Sequence, residues 1–388
     1  MTTSTGPLTP EDARRYARQL SLPGMGADGQ ARLGHATVAL VGVGGLGCPA
    51  ALYLAAAGVG RLVLIDGDRV DASNLHRQVL YGTSDVGRLK VEAAADRLRD
   101  LNPGVRVEAH AVRLDARNAR GLLASADIVA DGSDNFPARY LVNDACVLLG
   151  KPNAHGSVFR YEGQVSFFDA RSGPCYRCLH PEPPPPGLVP SCAEAGVLGI
   201  LPGVVGCLQA TEVLKFLLGI GEGLSGRLVI YDALSLSFRE LRLRKDPACP
   251  VCGPSPSIRD LVDLDGYCAA PPPAPPDGAE SETPPEMTAE EVRDRVAGSA
   301  PPLLLDVRED WEAGLGMLPG ALHIPLGSIP ARWREIPADR EIVVYCHGGV
   351  RSWQAMQFLR AKGLARVASL EGGTEAWSTR IDPSLPRY

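Results

Sequence analysis

The amino-acid sequence predicts an α/β fold in two parts: a doubly wound, Rossmann-like domain followed by a smaller α/β domain. The first observation is a strand-turn-helix-strand unit, in which ATVALVGVGGLG leads into PAALYLAAAGVG and then RLVLIDGD. The second is a pair of apolar, β-branched runs later in the chain, PPLLLDVRE and EIVVYCHGG. Such runs are typical of buried strands, and their alternation with helical segments favours a doubly wound sheet in the first domain and a smaller α/β domain in the second.

The other elements of the first domain follow in order. We predict a helix between Arg88 and Leu101, a strand at VRVEAH and a further strand at DIVADGSDN. Such alternation is expected of a doubly wound sheet, in which ligands bind at the carboxyl ends of the strands.

The composition narrows the class of protein. The chain has 388 residues, a formal net charge of -6, 45% hydrophobic and 22% charged residues. This length suits two domains that each bury a core, and the lack of a basic excess argues against nucleic acid as a partner. We expect no export signal, no membrane anchor and no apolar run long enough to span a membrane, and hence a cytoplasmic protein.

The ten cysteines do not predict a disulfide framework. Such frameworks occur in short secreted chains, and four of these cysteines form two Cys-x-x-Cys pairs. Reduced thiols in the cytoplasm fit better. Cysteines in mainly apolar surroundings are interpreted as packing residues: Cys48, Cys146, Cys207 and Cys268.

A proline-rich, acidic stretch containing PPPAPPDGAESETPPE separates the two domains. No lysine or arginine occurs between Asp260 and Val292. A segment with so little to bury is expected to be extended and solvated, so we interpret it as a linker, with an ordered surface loop as the alternative. The predicted boundaries are 1–268 for the first domain, 269–286 for the linker and 287–388 for the second domain.

A glycine-rich turn after the first strand predicts a nucleotide site. A G-x-G-x-x-G pattern is formed by Gly42, Gly44 and Gly47, and Gly45 adds a fourth glycine. Backbone amides and a helix N-terminus can approach phosphate there. Asp66 closes the next strand, where a carboxylate accepts hydrogen bonds from ribose hydroxyls. These residues alone would bind NAD as well as ATP, so a dehydrogenase is still an alternative at this point.

Polar residues after the later strands favour adenylation of a carboxylate. A carboxylate is repelled by a triphosphate, so its reaction at the α-phosphate needs cations that neutralise the developing charge. Arg77, Lys90 and a magnesium ion on Asp134 meet that need. The residues expected to converge on one cleft are Asn74, Arg77, Lys90, Asp134 and Asn135.

The first domain resembles the ubiquitin-activating-like adenylyltransferases that activate molybdopterin-synthase and thiamine sulfur carriers. The likeness extends from about Tyr16 to Cys268 and is carried by RYARQ, GVGGLG, DGDRVDASNLHRQ, Lys90 and GSDN. It implies a homodimer in which Arg18 reaches the neighbouring subunit's active site. It also implies that ATP with Mg²⁺ is bound by the glycine turn and by Asp66, Ser73, Asn74, Leu75, His76, Arg77, Lys90, Asp134 and Asn135. Catalytic roles fall to Arg18, Arg77, Lys90 and Asp134, and none is given to His76, His155 or His323.

Two Cys-x-x-Cys pairs predict a closed tetrahedral zinc site. The ligands are Cys175, Cys178, Cys249 and Cys252, in the turns GPCYRC and CPVCG. Because the pairs lie about 70 residues apart, the ion is expected to tie distant segments together and to be structural. A redox pair and an iron-sulfur cluster are the alternatives.

A second chemical motif is the loop in EIVVYCHGGVRS, where Cys346 follows an apolar strand and precedes Gly349 and Arg351. Backbone amides, a helix N-terminus and a guanidinium near a sulfur lower the pKa of a thiol and stabilise a persulfide anion. We expect the loop to expose this thiol, with a buried structural cysteine as the alternative. A phosphatase loop reads Cys-x5-Arg, and the spacing here is one residue shorter, which argues against phosphate esters.

The second domain resembles the rhodanese domain over about residues 287–388, since the Cys-x-x-Gly-x-Arg pattern of that family matches this loop. LLLDVRE, with Asp306 and Arg308, adds to the likeness. In GMLPGA, Met317 stands where many rhodanese domains carry a histidine. Its effect on the choice of sulfur donor stays open.

Cys192 is a further candidate thiol, in PPPPGLVPSCAEAGVLG ahead of an apolar helix. In the resembling adenylyltransferases this cysteine can take the activated carrier as a thioester or acyl disulfide. We therefore expect a second reactive thiol, with an inert loop cysteine as the alternative.

Together the two resemblances imply one reaction sequence: ATP activates a C-terminal glycine carboxylate as acyl-AMP, and a Cys346 persulfide supplies the sulfur of a thiocarboxylate. The implied substrate is a small ubiquitin-like sulfur carrier ending in Gly-Gly, as for the adenylyltransferase and sulfurtransferase proteins of molybdenum cofactor biosynthesis or tRNA thiolation. The expected sulfur donor is thiosulfate or a cysteine desulfurase. The alternatives are the same chemistry on a carrier for cysteine, thiamine or secondary-metabolite sulfur, and a noncatalytic scaffold.

Overall fold

The computed structural model describes residues 9–184, 196–264 and 285–388. The chain divides into two compact units, Met1–Ala270 and Pro271–Tyr388. Both units are α/β, which confirms the predicted fold class.

The first unit contains one eight-stranded sheet, with strands β1 Thr37–Val41, β2 Arg61–Ile65, β3 Arg106–His110, β4 Ile128–Asp131, β5 Asn153–Phe159, β6 Glu162–Phe168, β7 Arg227–Asp232 and β8 Ser237–Arg242. Their order is β3-β2-β1-β4-β5-β6-β7-β8. The strands from β3 to β5 run parallel, and β6 to β8 extend the sheet as antiparallel strands. The strands after β1 are added on one side of it as β2 and β3, and the next strands are added on its other side as β4 and β5. The carboxyl ends of β1 and β4 therefore border the crevice where ligands bind in such sheets.

Helices cover both faces of this sheet. The helix that follows β4 begins where the Asn135 side chain accepts the Ala138 N–H (3.0 Å), and it ends at Gly150, whose φ is 64°. Among the described residues of this unit, the α-helices are Pro10–Arg15, Ala17–Leu20, Gly26–His35, Gly47–Ala56, Lys90–Leu101, Ala119–Leu123, Phe136–Leu149, Tyr176–Leu179 and Ile200–Leu218.

Alternating side chains of β1 and β2 divide the core between the two faces. Val38 and Leu62 pack in the cluster on one face, whereas Ala39 and Val63 pack with Leu141 on the other. Both faces are buried, which explains why these strands read as continuous apolar runs. Each buried leucine or valine stabilises the fold by about 2 kcal/mol.

One helix of the described residues, Ile200–Leu218, is long and apolar enough to cross a membrane by length and composition. The expectation that no such segment exists is therefore wrong. Glu212 and Lys215 interrupt the apolar residues of this helix, but its mean hydropathy stays high enough for a membrane span. This helix packs against Gly47–Ala56 and β5. The Gln209 side chain donates to backbone carbonyls of β4 (2.7 Å) and β5 (3.0 Å). These are the contacts of a helix in a protein core.

The second unit contains a five-stranded parallel sheet, with strands β9 Glu286–Met287, β10 Leu303–Asp306, β11 Leu322–His323, β12 Ile342–Tyr345 and β13 Val367–Leu370. Their order is β11-β10-β12-β13-β9. Since β10 and β12 are neighbours, the loops after them meet at one edge of the sheet. The helices are Ala289–Val296, Asp310–Leu315, Ile329–Arg332, Val350–Ala361 and Gly373–Arg380.

Candidate active sites and metal centre

A cavity of about 830 Å³ opens at the carboxyl ends of β1, β2 and β4. Its size suits a small-molecule ligand such as a nucleotide. Predicted site residues that line it are Gly42, Gly44, Gly45, Asp66, Arg77, Lys90, Asp134 and Asn135. Other predicted residues lie outside the described lining: Arg18, Gly47, Ser73, Asn74, Leu75 and His76.

Two glycines make the turn after β1 sterically possible. Gly42 has a φ of 83°, in the left-handed region. A Cβ atom on Gly47 would lie 2.0 Å from the Gly42 carbonyl oxygen. Gly47 is thus required by backbone packing, while Gly44 and Gly45 face the cavity.

Asp66 is held beside the glycine turn by two backbone donors. Its Oδ2 accepts the Val43 N–H (2.9 Å) and its Oδ1 the Asp68 N–H (2.8 Å). Burial raises the pKa of Asp66, and the charge of Lys90 acts in the opposite direction. The carboxylate therefore has a fixed orientation at the cavity wall.

Lys90 is buried and paired with Asp68, a residue that the sequence pattern did not single out. The Lys90 side chain is 8% exposed, and its Nζ lies 2.7 Å from Asp68 Oδ2, whose side chain is 73% exposed. A buried ammonium is costly without a partner, so the bond to Asp68 compensates for burial and orients the Lys90 side chain. The only available signal was the second acid of DGD, two residues after Asp66.

Arg77 is oriented by its own turn. Its Nη1 donates to the Ser73 carbonyl (2.8 Å) and lies 2.8 Å from His76 Nε2. Burial and the neighbouring Arg77 charge lower the pKa of His76, which favours a neutral ring that accepts this hydrogen bond. Asn74 contacts Ser73 Oγ (3.4 Å), and Leu75 packs against the core. The contacts with Ser73 and His76 therefore fix the orientation of the Arg77 side chain.

The loop after β4 presents Asp134 to the cavity. Asn135 donates its Nδ2 to Asp134 Oδ1 (3.2 Å) while its Oδ1 caps the following helix. Asn135 thus positions the carboxylate, and Asp134 offers the oxygen that Mg²⁺ prefers as a ligand.

Further charged residues of the cavity wall follow no local motif. Asp263 is anchored by the Ala116 N–H, which donates to its Oδ1 (2.8 Å). One loop supplies three of these residues, and the other two come from segments distant in the chain, so the fold of the sheet brings the three segments together. The residues are Arg113, Asp115 and Arg117 of the loop, and Arg139 and Asp263.

Four thiols of the first unit form a cluster that can hold a metal ion: Cys175, Cys178, Cys249 and Cys252. Their Sγ atoms lie within 4.8 Å of one another, with 3.6 Å for Cys175–Cys249 and 3.4 Å for Cys178–Cys252. Four thiolates at about 2.3 Å from a tetrahedral zinc ion would be about 3.8 Å apart. Burial raises the pKa of Cys175, and that of Cys252 to about 12, so a cation is needed to hold both as thiolates. The donor set fits zinc.

Local contacts hold both cysteine pairs in place. Arg177 donates to both carboxylate oxygens of Asp144 at 2.8 Å and lies 4.5 Å from the centre of the Tyr140 ring. A Cβ atom on Gly253 would lie 2.6 Å from the Cys249 carbonyl oxygen. The second turn therefore needs a glycine after its last cysteine.

In the second unit, the loop after β12 folds around the sulfur of Cys346. The Gly349 N–H donates to Cys346 Sγ (3.1 Å), and Ser352 Oγ lies 3.5 Å from it. Gly349 has a φ of 99°, which turns its amide towards the sulfur. Cys346 is only 1% exposed. The expectation of an exposed thiol is therefore wrong, because the loop packs closely around it.

Arg351 binds a carboxylate that the sequence pattern did not reveal, Glu312. The two guanidinium nitrogens donate to its two oxygens at 2.6 and 2.7 Å. Tyr388 donates its hydroxyl to Glu312 (2.9 Å), and its ring centre lies 4.5 Å from that of His347. Burial acts to raise the pKa of Glu312, but the Arg351 hydrogen bonds outweigh it and lower the pKa to about 2. The two hydrogen bonds to Glu312 therefore fix the orientation of the Arg351 guanidinium.

Asp306, the last residue of β10, and Arg308 form a buried ion pair with a nitrogen–oxygen distance of 2.7 Å. Arg308 also donates to the Gly316 carbonyl (2.7 Å) and the Tyr388 hydroxyl (3.1 Å). Gly316 directly precedes Met317, so this pair holds the turn that departs from the rhodanese pattern.

The cysteines outside the metal cluster and the Cys346 loop were predicted to be packing residues, apart from Cys192. Cys48 and Cys146 are buried, and burial raises both thiol pKa values, that of Cys48 to about 12. Cys207 is half-buried. These surroundings agree with packing roles. Cys192 and Cys268 lie outside the described residues.

The fold and the sites together define a class of protein. It has a Rossmann-like nucleotide-binding unit, followed by a unit in which a loop amide donates a hydrogen bond to a cysteine sulfur. The chain belongs to the ThiF family, since the model of that family matches residues 16–251. The model of the rhodanese-like domain matches residues 288–380. Both resemblances predicted from the motifs are confirmed.

Similar proteins extend over nearly the whole chain. The probable adenylyltransferase/sulfurtransferase MoeZ of Mycobacterium tuberculosis is 44% identical over 387 residues, which cover 98% of this chain and 96% of MoeZ. The adenylyltransferase and sulfurtransferase MOCS3 of Bos taurus is 45% identical over 98% of this chain and 89% of its own. The sulfur carrier protein adenylyltransferase of Thermus thermophilus is 57% identical over 265 residues, 67% of this chain and 98% of its own. A solved structure of Escherichia coli MccB shares the fold, with a TM-score of 0.56 and 23% identity over 64% of this chain and 76% of that one.

Proposed function

We propose that this enzyme adenylates the C-terminal glycine carboxylate of a ubiquitin-like sulfur carrier ending in Gly-Gly, and that Cys346 supplies the sulfur that turns it into a thiocarboxylate. The observation that carries the proposal is one chain with two sites, a nucleotide cavity lined by cations and a loop whose Gly349 N–H donates to the Cys346 sulfur. Relatives similar over 98% of the chain are named for both activities. The product would serve molybdenum cofactor biosynthesis or tRNA thiolation.

ATP is the proposed nucleotide, with its phosphates at the turn of residues 42–45 and its ribose at Asp66. Lys90 and Arg77 neutralise charge as a carboxylate oxygen attacks the α-phosphate and pyrophosphate leaves. Asp134 would hold Mg²⁺, which supplies further positive charge at the phosphates. The orientation of these groups before substrate binds lowers the cost of reaching the transition state.

Sulfur transfer begins with a persulfide on Cys346. Its terminal sulfur attacks the acyl carbon of acyl-AMP, the carbon–oxygen bond to the phosphate breaks, and AMP leaves, which gives an acyl disulfide. We assign Cys192 as the thiol that then attacks the Cys346 sulfur. This releases the thiocarboxylate and forms a Cys192–Cys346 disulfide, which a cellular dithiol reduces. Gly349 and Arg351 stabilise the anionic sulfur.

The other parts of the proposal are structural. The four-cysteine cluster holds zinc that ties its two turns together, and residues 269–286 link domains formed by 1–268 and 287–388. The enzyme acts in the cytoplasm as a homodimer, with Arg18 serving the neighbouring subunit. Its sulfur donor is thiosulfate or a cysteine desulfurase.

Mass spectrometry of candidate carriers tests this function. After incubation with ATP and thiosulfate, a carrier ending in Gly-Gly is expected to change from carboxylate to thiocarboxylate. Cys346→Ala should block this change and leave carrier-dependent pyrophosphate exchange intact, whereas Cys207→Ala should behave as wild type. Unchanged thiocarboxylate formation in Cys192→Ala would remove that residue from the mechanism. No exchange with any carrier, together with no sulfur transfer from thiosulfate to cyanide, would contradict the proposal.

A further inference from the structure

A buried histidine–aspartate pair lies behind the nucleotide cavity and has no part in the chemistry proposed above. β4 and β5 pair in a register that places Asp131 opposite His155. His155 Nδ1 lies 3.2 Å from Asp131 Oδ2, and the two residues are 4% and 0% exposed. A carboxylate buried this deeply is strongly destabilising unless it is paired and hydrogen-bonded. His155 therefore holds one of the two oxygens of the Asp131 carboxylate.

Asp131 in turn holds the loop that presents Asp134. Its Oδ1 accepts the Ser133 N–H (3.0 Å) and the Ser133 hydroxyl (2.6 Å). Its backbone carbonyl accepts the Gln209 side chain (2.7 Å). Ser133 and Asp134 both line the cavity. The direction of the Asp131 carboxylate thus fixes the first turn of this loop.

The ring of His155 packs against two aromatic rings, one of which adjoins the four-cysteine cluster in sequence. The imidazole centre lies 5.1 Å from the ring centre of Tyr176 and 5.6 Å from that of Phe168. Tyr176 directly follows Cys175 of the four-cysteine cluster, and its N–H donates to Asn143 Oδ1 (2.8 Å). A rigid ring therefore stands between the metal centre and the Asp134 loop.

We infer that His155 is a positioning residue for adenylation: it orients Asp131, and through Asp131 the loop of Ser133 and Asp134, in a geometry set by the packing of Tyr176 at the metal centre. This inference rests on the proposed ATP-dependent function. Residues that orient a metal or phosphate ligand affect affinity strongly, because a ligand displaced by a fraction of an ångström loses much of its interaction.

Binding of Mg·ATP to the full-length protein, measured by isothermal titration calorimetry, tests this role with two complementary variants. His155→Phe keeps an aromatic ring against Tyr176 but cannot bond to Asp131, whereas His155→Gln keeps a donor and loses the ring. We expect His155→Phe to weaken Mg·ATP binding about tenfold and to raise the KM for ATP more than it lowers kcat in pyrophosphate exchange. His155→Gln should stay within about twofold of wild type.

Readouts from the rest of the molecule separate positioning from folding. Metal content and sulfur transfer from thiosulfate to cyanide should be unchanged in both variants. If His155→Phe loses its metal, Ser133→Ala tests the same link without disturbing the rings, and about fivefold weaker binding is expected. In a folded, metal-loaded protein, wild-type affinity in both His155→Phe and Ser133→Ala overturns the inference, as does an equal loss in His155→Phe and His155→Gln. A wild-type protein that binds no Mg·ATP would overturn the proposed function itself, which is a distinct result.

Discussion

Cations at the two candidate active sites are both paired with carboxylates, yet the two pairs differ in burial. Asp68 is largely exposed, so its bond to Lys90 costs little to exchange for a phosphate oxygen. Glu312 has a side chain only 4% exposed and binds Arg351 through two hydrogen bonds. Breaking that pair would leave a buried charge alone. Lys90 is therefore suited to capture substrate, and Arg351 to keep a fixed geometry around the sulfur.

Lys90→Ala is expected to lower carrier-dependent pyrophosphate exchange by about 100-fold, because a cation that faces the developing phosphate charge is lost. The measurement is the exchange rate at saturating carrier. Arg97→Ala is the matched control, since Arg97 lies on the same helix with 57% of its side chain exposed. A Lys90→Ala protein that exchanges pyrophosphate at the Arg97→Ala rate would contradict the role of Lys90.

Glu312 is expected to make the second unit sensitive to acid. Its pKa is lowered from 4.5 to about 2 in the folded protein, so it contributes stability above pH 4.5 that is lost as the pH falls towards 2. Glu312→Gln should be less stable by about 3 kcal/mol at neutral pH and should lack this part of the acid dependence. Urea unfolding at several pH values measures both effects. Asp339→Asn, at an exposed position, should keep the wild-type dependence.

At the level of elements, the turn that carries Cys249 and Cys252 depends on a backbone requirement, and this turn supplies half of the candidate metal centre. Gly253→Ala is expected to displace the second turn, because the new Cβ would lie 2.6 Å from the Cys249 carbonyl oxygen. Bound zinc per chain, measured by atomic emission, should fall by at least half. Gly34→Ala is a suitable control, since a Cβ there meets nothing within 4 Å. Full zinc content in Gly253→Ala would show that the turn tolerates the change.

The elements that could be predicted from sequence are those with a local signal. The strand and glycine turn around Gly42, and the cysteine pairs, follow from apolar runs, turn residues and spacing. Glu312 and Asp68 carry no such signal, since only the folded sheets bring them to Arg351 and Lys90. The burial of Cys346 was likewise unpredictable, because glycines in a loop indicate backbone freedom and not how closely that loop packs.

Across the whole molecule, each described core cluster lies within one of the two units. Each unit therefore has a core of its own and can unfold as a separate cooperative unit. The four-cysteine cluster belongs to the first unit and the Arg351–Glu312 pair to the second. Perturbations of these two features should therefore act on different transitions.

Differential scanning calorimetry of the full-length protein is expected to show two transitions. Removal of metal by a chelator should lower the Tm of the first unit by at least about 5 °C, because the ion joins turns that are distant in the chain. Glu312→Gln should lower only the other transition, which assigns it to the second unit. A single transition that both changes shift together would contradict independent unfolding. Two transitions that the chelator leaves unchanged would instead show that the four cysteines hold no stabilising ion.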